Sequence, residues 1–487
     1  MTDPYELQRF ARQFVYGPQL VAPATFTEHA AFGPEILRAH CWAKLERVSE
    51  EHRELLVVGH LLDPDQPHLD NAAVVGGLFA RAISFSAFEA ATSPLAGRWL
   101  AFVRIGGEAR VYPDAAGMRS AFYARMNDGR VVVASQPNLL ADVYGLSRDA
   151  DLDEEFARHR HFSNGWPCEV TPFPSVRQLL PNHYLNLSTG TAHRFWPKNR
   201  VASVSVDHAA QEIAKGLHGT IAAAVHRGSA ALALTAGYDS RTLYAAAGEL
   251  RPGLAIFRVN GQHLPRYDTS VPRRLTRRFG GHLEEIVPQR CPPQLLTVMR
   301  DNVARLWSDP GDYMLYSFAS LKTDLVLLGQ LSEIGRCFYY PDGAHPDRVD
   351  ADLLARLTHY ESHPIARKAF AQWLETAPAE ENRTSILDLL YWEHRAGNWA
   401  SLLATASDTF FDGVAPYNSR RLLETALGVD VTYRRSPYLL HRQICEVATA
   451  GSSSLPFNFS WPDAFEEWLL GRLPWRIQNL LRQRRAA

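Results

Sequence analysis

Lysine is scarce in this chain of 487 residues: it occurs only at Lys44, Lys198, Lys215, Lys322 and Lys368, and every other basic side chain is arginine. Beyond Lys368 any step that needs a cation able to surrender its proton falls to another residue type, because arginine keeps its proton. Cysteine is equally sparse. Cys41, Cys168, Cys291, Cys337 and Cys445 form no C-x-x-C pair, which argues against a zinc knuckle and a disulfide framework and fits a reducing compartment. The nineteen histidines include no H-E-x-x-H, so no zinc site is expected. No apolar run approaches the roughly 20 residues of a membrane helix, and MTDPYELQRF lacks the basic start and apolar run of a secretory signal. A soluble, cytoplasmic protein is expected. The formal net charge of -1 offers no general attraction to nucleic acid or anionic lipid. Finally, no G-x-x-x-x-G-K-[ST] occurs, which excludes the loop that supports γ-phosphate transfer.

What is present suggests two domains, since the length exceeds what one hydrophobic core usually organises. Short apolar runs at residues 55–59, 98–103, 109–112 and 130–134 alternate with turn residues and read as strands. Residues 71–90 have helical spacing, and 177–187 read as a turn and one more strand. Near residue 200 the pattern changes to an amphipathic helix at 207–227, then apolar strands at 230–234, 254–259, 283–287 and 325–329 separated by helix. Such alternation implies a parallel sheet. Beyond about 350 the chain reads as mainly helical. Residues 1–200 and 201–487 are therefore expected to form separate domains.

The strand at 230–234 runs into the turn Thr235-Ala236-Gly237-Tyr238 and then into helix from Asp239. The first N–H groups of such a helix attract anions. Gly237 is expected to permit a tight turn, Thr235 and Ser240 offer hydroxyls to phosphate oxygens, and Asp239 can face Mg2+, a hard cation that prefers oxygen. A loop that grips the β- and γ-phosphates of ATP leaves the α-phosphate open to a carboxylate and expels pyrophosphate.

The hexamer Thr235-Ala236-Gly237-Tyr238-Asp239-Ser240 resembles the S-G-G-x-D-S loop of the ATP-pyrophosphatase group, and its surroundings resemble the asparagine synthetase branch. Ala236 stands where that family has glycine, which a negative φ tolerates. The resemblance implies an adenine nucleotide α-hydrolase-like (PP-loop) domain with a helical C-terminal part. It implies ATP contacts from Leu234, Thr235, Ala236, Gly237, Tyr238, Asp239, Ser240, Arg241, Val259 and Gly329, with Leu234 and Val259 flanking the adenine. Glu333 corresponds to the family's magnesium-binding Asp beside Asp239, or pairs with Arg336. Asp268 matches an acidic family position or is a helix N-cap. The family's late Lys falls on Tyr438, leaving Arg434 or Arg435 to stabilise the reacting phosphate. Glu393 is a candidate base for an attacking amine, or pairs with Arg395 or His394. Asp309 and Asp312 face the crevice or serve a turn.

Gly97-Arg98-Trp99-Leu100-Ala101-Phe102, Asp114 through Tyr123, and Val133-Ala134-Ser135 resemble the class II glutamine amidotransferase domain of asparagine synthetases. That implies an Ntn-hydrolase-like αββα sandwich. Its nucleophile is an N-terminal Cys, where this chain has Thr2, followed by no apolar strand. Glutaminase loss with retention of an ATP site resembles the β-lactam synthetases and lasso peptide cyclases. The expected function is an ATP- and Mg2+-dependent ligase that adenylates a carboxylate and passes it to an amine of a small-molecule or peptide substrate, with ring closure as one form. The alternatives are a glutamine- or ammonia-dependent amidotransferase and a degenerate ATP-binding scaffold. A homodimer and a pathway partner protein both stay open.

Overall fold

The computed structural model describes residues 4–18, 21–158, 165–260, 266–304, 310–340, 346, 348–360, 363–378, 385–435 and 438–455. Thr2, Asp309, the Asp312 side chain and the basic tail at residues 482–485 lie outside the described residues. The fold is mixed, with two antiparallel sheets followed by a parallel one.

In chain order the first twelve strands are β1 (Phe14–Gly17), β2 (Glu28–Phe32), β3 (Glu35–Ala39), β4 (Leu45–Glu50), β5 (Arg53–Leu62), β6 (Ala96–Ile105), β7 (Glu108–Pro113), β8 (Phe122–Arg125), β9 (Val131–Ala134), β10 (Arg177–Gln178), β11 (His183–Asn186) and β12 (Thr191–Arg194). They form two six-stranded sheets, ordered β10-β8-β9-β1-β3-β2 and β12-β11-β7-β6-β5-β4. The strand period of two sorts their side chains. Phe14, Tyr16, Leu56, Val58, Leu100, Phe102, Val131 and Val133 enter the core between the sheets, where the Phe14, Tyr16 and Phe32 rings gather around Phe102 at 5.0–6.2 Å. Their neighbours Leu55, Val57, Trp99, Ala101, Val103 and Val132 face outward into the second core, where helix Asn71–Arg81 covers the β5 side. The single helix expected over 71–90 is two, because the Ser84 hydroxyl accepts from Ala87 N at 3.1 Å and starts helix Phe85–Thr92 anew.

The third sheet contains β13 (Ala230–Ala233), β14 (Leu254–Val259), β15 (Leu283–Ile286), β16 (Leu325–Leu327) and β17 (Asp412–Val414), all parallel and ordered β15-β14-β13-β16-β17. The 22-residue helix Val206–Arg227 links the halves. It lies so close to the first that a Cβ on Gly219 would meet the Pro64 carbonyl oxygen at 2.0 Å. Ion pairs seal the same junction. Arg98, 1% exposed, donates to both Asp408 oxygens at 2.5 and 2.8 Å, Arg119 reaches Asp408 at 3.2 Å, and His60 meets Asp412 at 3.2 Å. Burial pushes the Asp408 carboxyl up against these arginines; Asp412 ends well below the ordinary range because Arg119, His60 and Arg98 outweigh its burial. Among the described residues no helix is long and apolar enough to cross a membrane.

Candidate functional site

The strand order fixes where a site belongs. From β13 the chain moves to β14 and β15 on one side, then returns to β16 and β17 on the other. The direction of winding reverses between β13 and β16, and in open α/β sheets ligands bind outside the carboxyl ends of the strands at such a point. Two loops leave the sheet there: residues 234–237, leading into helix Tyr238–Ala247, and residues 328–331, leading into the 3-10 turn Ser332–Arg336. They pack tightly. A Cβ on Gly329 would lie 2.8 Å from Ser240 N and 3.0 Å from Asp239 Cβ. Gly329→Ala should therefore cost about 1–3 kcal/mol by overpacking, read as a fall in the urea midpoint. Gly253→Ala, with open space at its Cβ, should be nearly neutral; equal midpoints for the two variants would refute the close approach.

Asp239 is the centre of this junction. Its carboxylate accepts a hydrogen bond from the Ser332 hydroxyl and is reached by Arg336 Nη2 at 3.3 Å from Oδ1 and 3.4 Å from Oδ2. The same Nη2 is 3.6 Å from Glu333 Oε1. Burial first, and then the charge of Asp239, push the Glu333 carboxyl upward, while Arg336 opposes them. Glu333 Oε2 and Arg336 Nε are buried without a hydrogen-bond partner among the described residues. Leu331, Cys337 and Tyr438, all near this junction, hold left-handed φ values of 79°, 54° and 57°. Such backbone costs a non-glycine residue on the order of 1–3 kcal/mol and gathers at working sites.

Within the first loop the Thr235 and Ser240 hydroxyls bond each other at 2.9 Å, and Gly237 N donates to Thr235 Oγ1 at 3.1 Å. Ala236 N donates to Asp268 at 3.0 Å. Asp268 lies inside helix Arg266–Phe279 and steadies the loop after β13, so the N-cap reading is corrected. Gly237 has φ -68°, which any residue adopts, so the turn does not need its conformational freedom. Ala236 is not among the residues with positive φ.

Other expected residues are placed elsewhere. The fully buried Arg241 guanidinium donates to the Leu455 carbonyl at 2.6 Å and the Ala236 carbonyl at 3.2 Å, and burial pushes it down to about 10. It braces the loop from behind, where it cannot reach a phosphate. The Leu234 side chain is fully buried in the sheet core and cannot border an adenine, whereas Val259 is half-buried. Glu393 sits in the π-helix Tyr391–Ala400. Its buried carboxylate accepts from Asn182 Nδ2 at 3.0 Å and Trp373 Nε1 at 2.8 Å and pairs with Arg194. That occupancy removes it as a base, and its ion-pair partner is Arg194 in place of Arg395 or His394. Arg434 is buried against Asp388 at 2.7 Å, and Arg435 is exposed. Of the four candidate catalytic side chains, only Tyr438 joins the loops: its ring meets Tyr238 edge-on at 4.9 Å, with the Arg336 guanidinium 5.7 Å from its centre.

Asp239 and Glu333, expected as Mg2+ ligands, do converge, but around a guanidinium. With Arg336 Nη2 within 3.6 Å of both carboxylates, a divalent ion does not fit between them. Ser332 and His441 escaped sequence reasoning. Ser332 was adjacent to Glu333 and carried no pattern of its own; His441, buried beside Tyr238, lies about two hundred residues further along the chain. Two cavities of about 500 and 620 Å3 lie elsewhere, one lined by Trp196, Lys198, Arg420 and Glu424, the other by Arg12, Cys41, Lys44 and His60. Neither contains a residue of the two loops, and convergence of polar groups at the strand-order reversal outweighs volume here.

No protein-family model matches this chain, and no curated protein matches it. Among solved structures, glutamine phosphoribosylpyrophosphate amidotransferase from B. subtilis, complexed with ADP and GMP, superposes with a TM-score of 0.25 at 13% identity, over 59% of this chain and 79% of that one. A structure described as the allosteric regulatory enzyme of purine biosynthesis gives a TM-score of 0.26 at 13% identity, over 64% and 87%. Likenesses this loose fix neither fold nor activity.

Proposed function

We propose that the chain is an ATP-dependent carbon–nitrogen ligase of the asparagine synthetase type, built from an Ntn-hydrolase-like αββα half and a PP-loop half. The observation that carries the reading is the meeting of the Tyr238–Ala247 helix start with the 3-10 turn Ser332–Arg336 around Asp239, at the point where the strand order reverses. A substrate carboxylate oxygen attacks the α-phosphorus; the bond to the bridging oxygen breaks and its electron pair leaves on pyrophosphate. An amine of a small molecule or peptide then attacks the acyl carbon and releases AMP. The helix start and Arg336 offset the negative charge that gathers on the departing phosphates. In this reading the N-terminal half is a scaffold without glutaminase activity.

ATP–pyrophosphate exchange, tested across amino acids, other small carboxylic acids and short peptides, is the direct assay. Exchange should depend on one carboxylate class and fall at least about 100-fold in Asp239→Ala, which releases Arg336 from its position, the scale of misplacing one group in a transition state. A second reading, an ATP-binding scaffold without turnover, is favoured by the engagement of Glu393 and Arg434 in ion pairs. Tight ATP binding with no exchange for any carboxylate would select it and sink the ligase.

A further inference from the structure

Resting on the nucleotide reading above, we infer that Arg336 is the resident cation of this site: it holds the place between Asp239 and Glu333 that a divalent ion would take, and presents its remaining donors to the phosphates. One amino nitrogen, Nη2, lies 3.3 Å from Asp239 Oδ1 and 3.6 Å from Glu333 Oε1. A magnesium ion needs oxygen ligands at roughly 2.0–2.1 Å in near-octahedral order, so ion and guanidinium exclude each other from this point. The arginine is also fixed in place. Its side chain is 15% exposed, its guanidinium lies over the Tyr438 ring at 5.7 Å, and Ser332 secures the Asp239 carboxylate it contacts.

One feature points to a missing anionic partner. Arg336 Nε is buried and has no hydrogen-bond partner among the described residues, so only one edge of a planar donor fork is in use. An arginine keeps its charge at any physiological pH and matches phosphate oxygens in pairs, which a hydrated point charge does not. A fixed guanidinium therefore supplies charge and orientation together. The consequence is a nucleotide site whose affinity does not depend on a divalent ion.

The test is calorimetric titration of the full-length protein with the α,β-methylene analogue of ATP, in EDTA and in excess magnesium. For the wild type, removal of magnesium should change the affinity by less than about threefold, under 1 kcal/mol. Arg336→Ala should bind roughly ten- to hundredfold more weakly in EDTA, the scale of a lost charge-assisted hydrogen bond, and recover most of this in magnesium. Arg336→Lys, which keeps the charge without the fork, should lie between the two, and thermal midpoints would verify that both variants fold. Manganese alone, followed by electron paramagnetic resonance, should bind Arg336→Ala and not the wild type. Wild-type binding that collapses in EDTA, or manganese bound equally by both proteins, overturns the inference. If no nucleotide binds under any condition, the nucleotide reading fails; manganese bound only by Arg336→Ala would still support Arg336 as occupant of the cation position.

Discussion

Arg98→Ala is expected to lower the unfolding free energy by about 3–5 kcal/mol, the cost of leaving a buried charge without its partner, seen as a large fall in the urea midpoint. Arg98 is 1% exposed and makes two short hydrogen bonds to Asp408, itself 1% exposed. Its Nε also donates to the Met118 carbonyl at 2.8 Å. Alanine would leave Asp408 to Arg119 alone, at 3.2 Å, with Asp412 close by as a second carboxylate. Removing both sides together, in Arg98→Met with Asp408→Leu, should recover much of the loss, because a buried pair is seldom worth its own desolvation. A loss below about 1 kcal/mol for Arg98→Ala would mean that the junction is hydrated and these contacts are weak.

Glu393→Ala should be nearly as damaging, by about 3–5 kcal/mol. The substitution strands three buried or half-buried donors at once, on Arg194, Trp373 and Asn182. Glu393→Gln keeps the volume and one acceptor oxygen and should lose less stability. The pair of variants separates structure from chemistry. If Glu393 were the base that activates an amine, the glutamine variant would lose exchange-coupled amide formation at unchanged stability. The geometry anticipates the reverse, a lower midpoint with residual chemistry in proportion to the folded fraction.

Much of the fold was readable because apolar side chains recur with the strand period: Leu55 to Val58 and Leu100 to Val103 send alternate residues into two cores. The first fifty residues were not, for a physical reason. β2 and β4 are edge strands, one at the end of each sheet, and their mostly exposed or half-exposed side chains show no apolar alternation. β17, three residues long inside a helical stretch, is too short to leave a pattern. In the candidate site, the meeting of Asp239 with the Glu333 turn was visible as two loops at strand ends, and pairing of Glu333 with Arg336 was one of the two readings. The inward turn of Arg241 and the union of Glu393 with Arg194 were not visible. Each depends on partners about two hundred residues away, such as Leu455 and Arg194, and local spacing carries no information about them.

The sealed junction between the halves also constrains timing. A hinge that parted the two halves would have to expose Arg98, Arg119, Asp408 and Asp412 together and break the bonds of Asn418 to the Gly97 carbonyl and Trp392 to the Ala115 carbonyl. In the proposed ligase, ligand entry and product escape would then proceed by local rearrangement of the loops at the ends of β13 and β16, on the microsecond-to-millisecond scale. The N-terminal half would then keep a constant distance from Asp239 while those loops move.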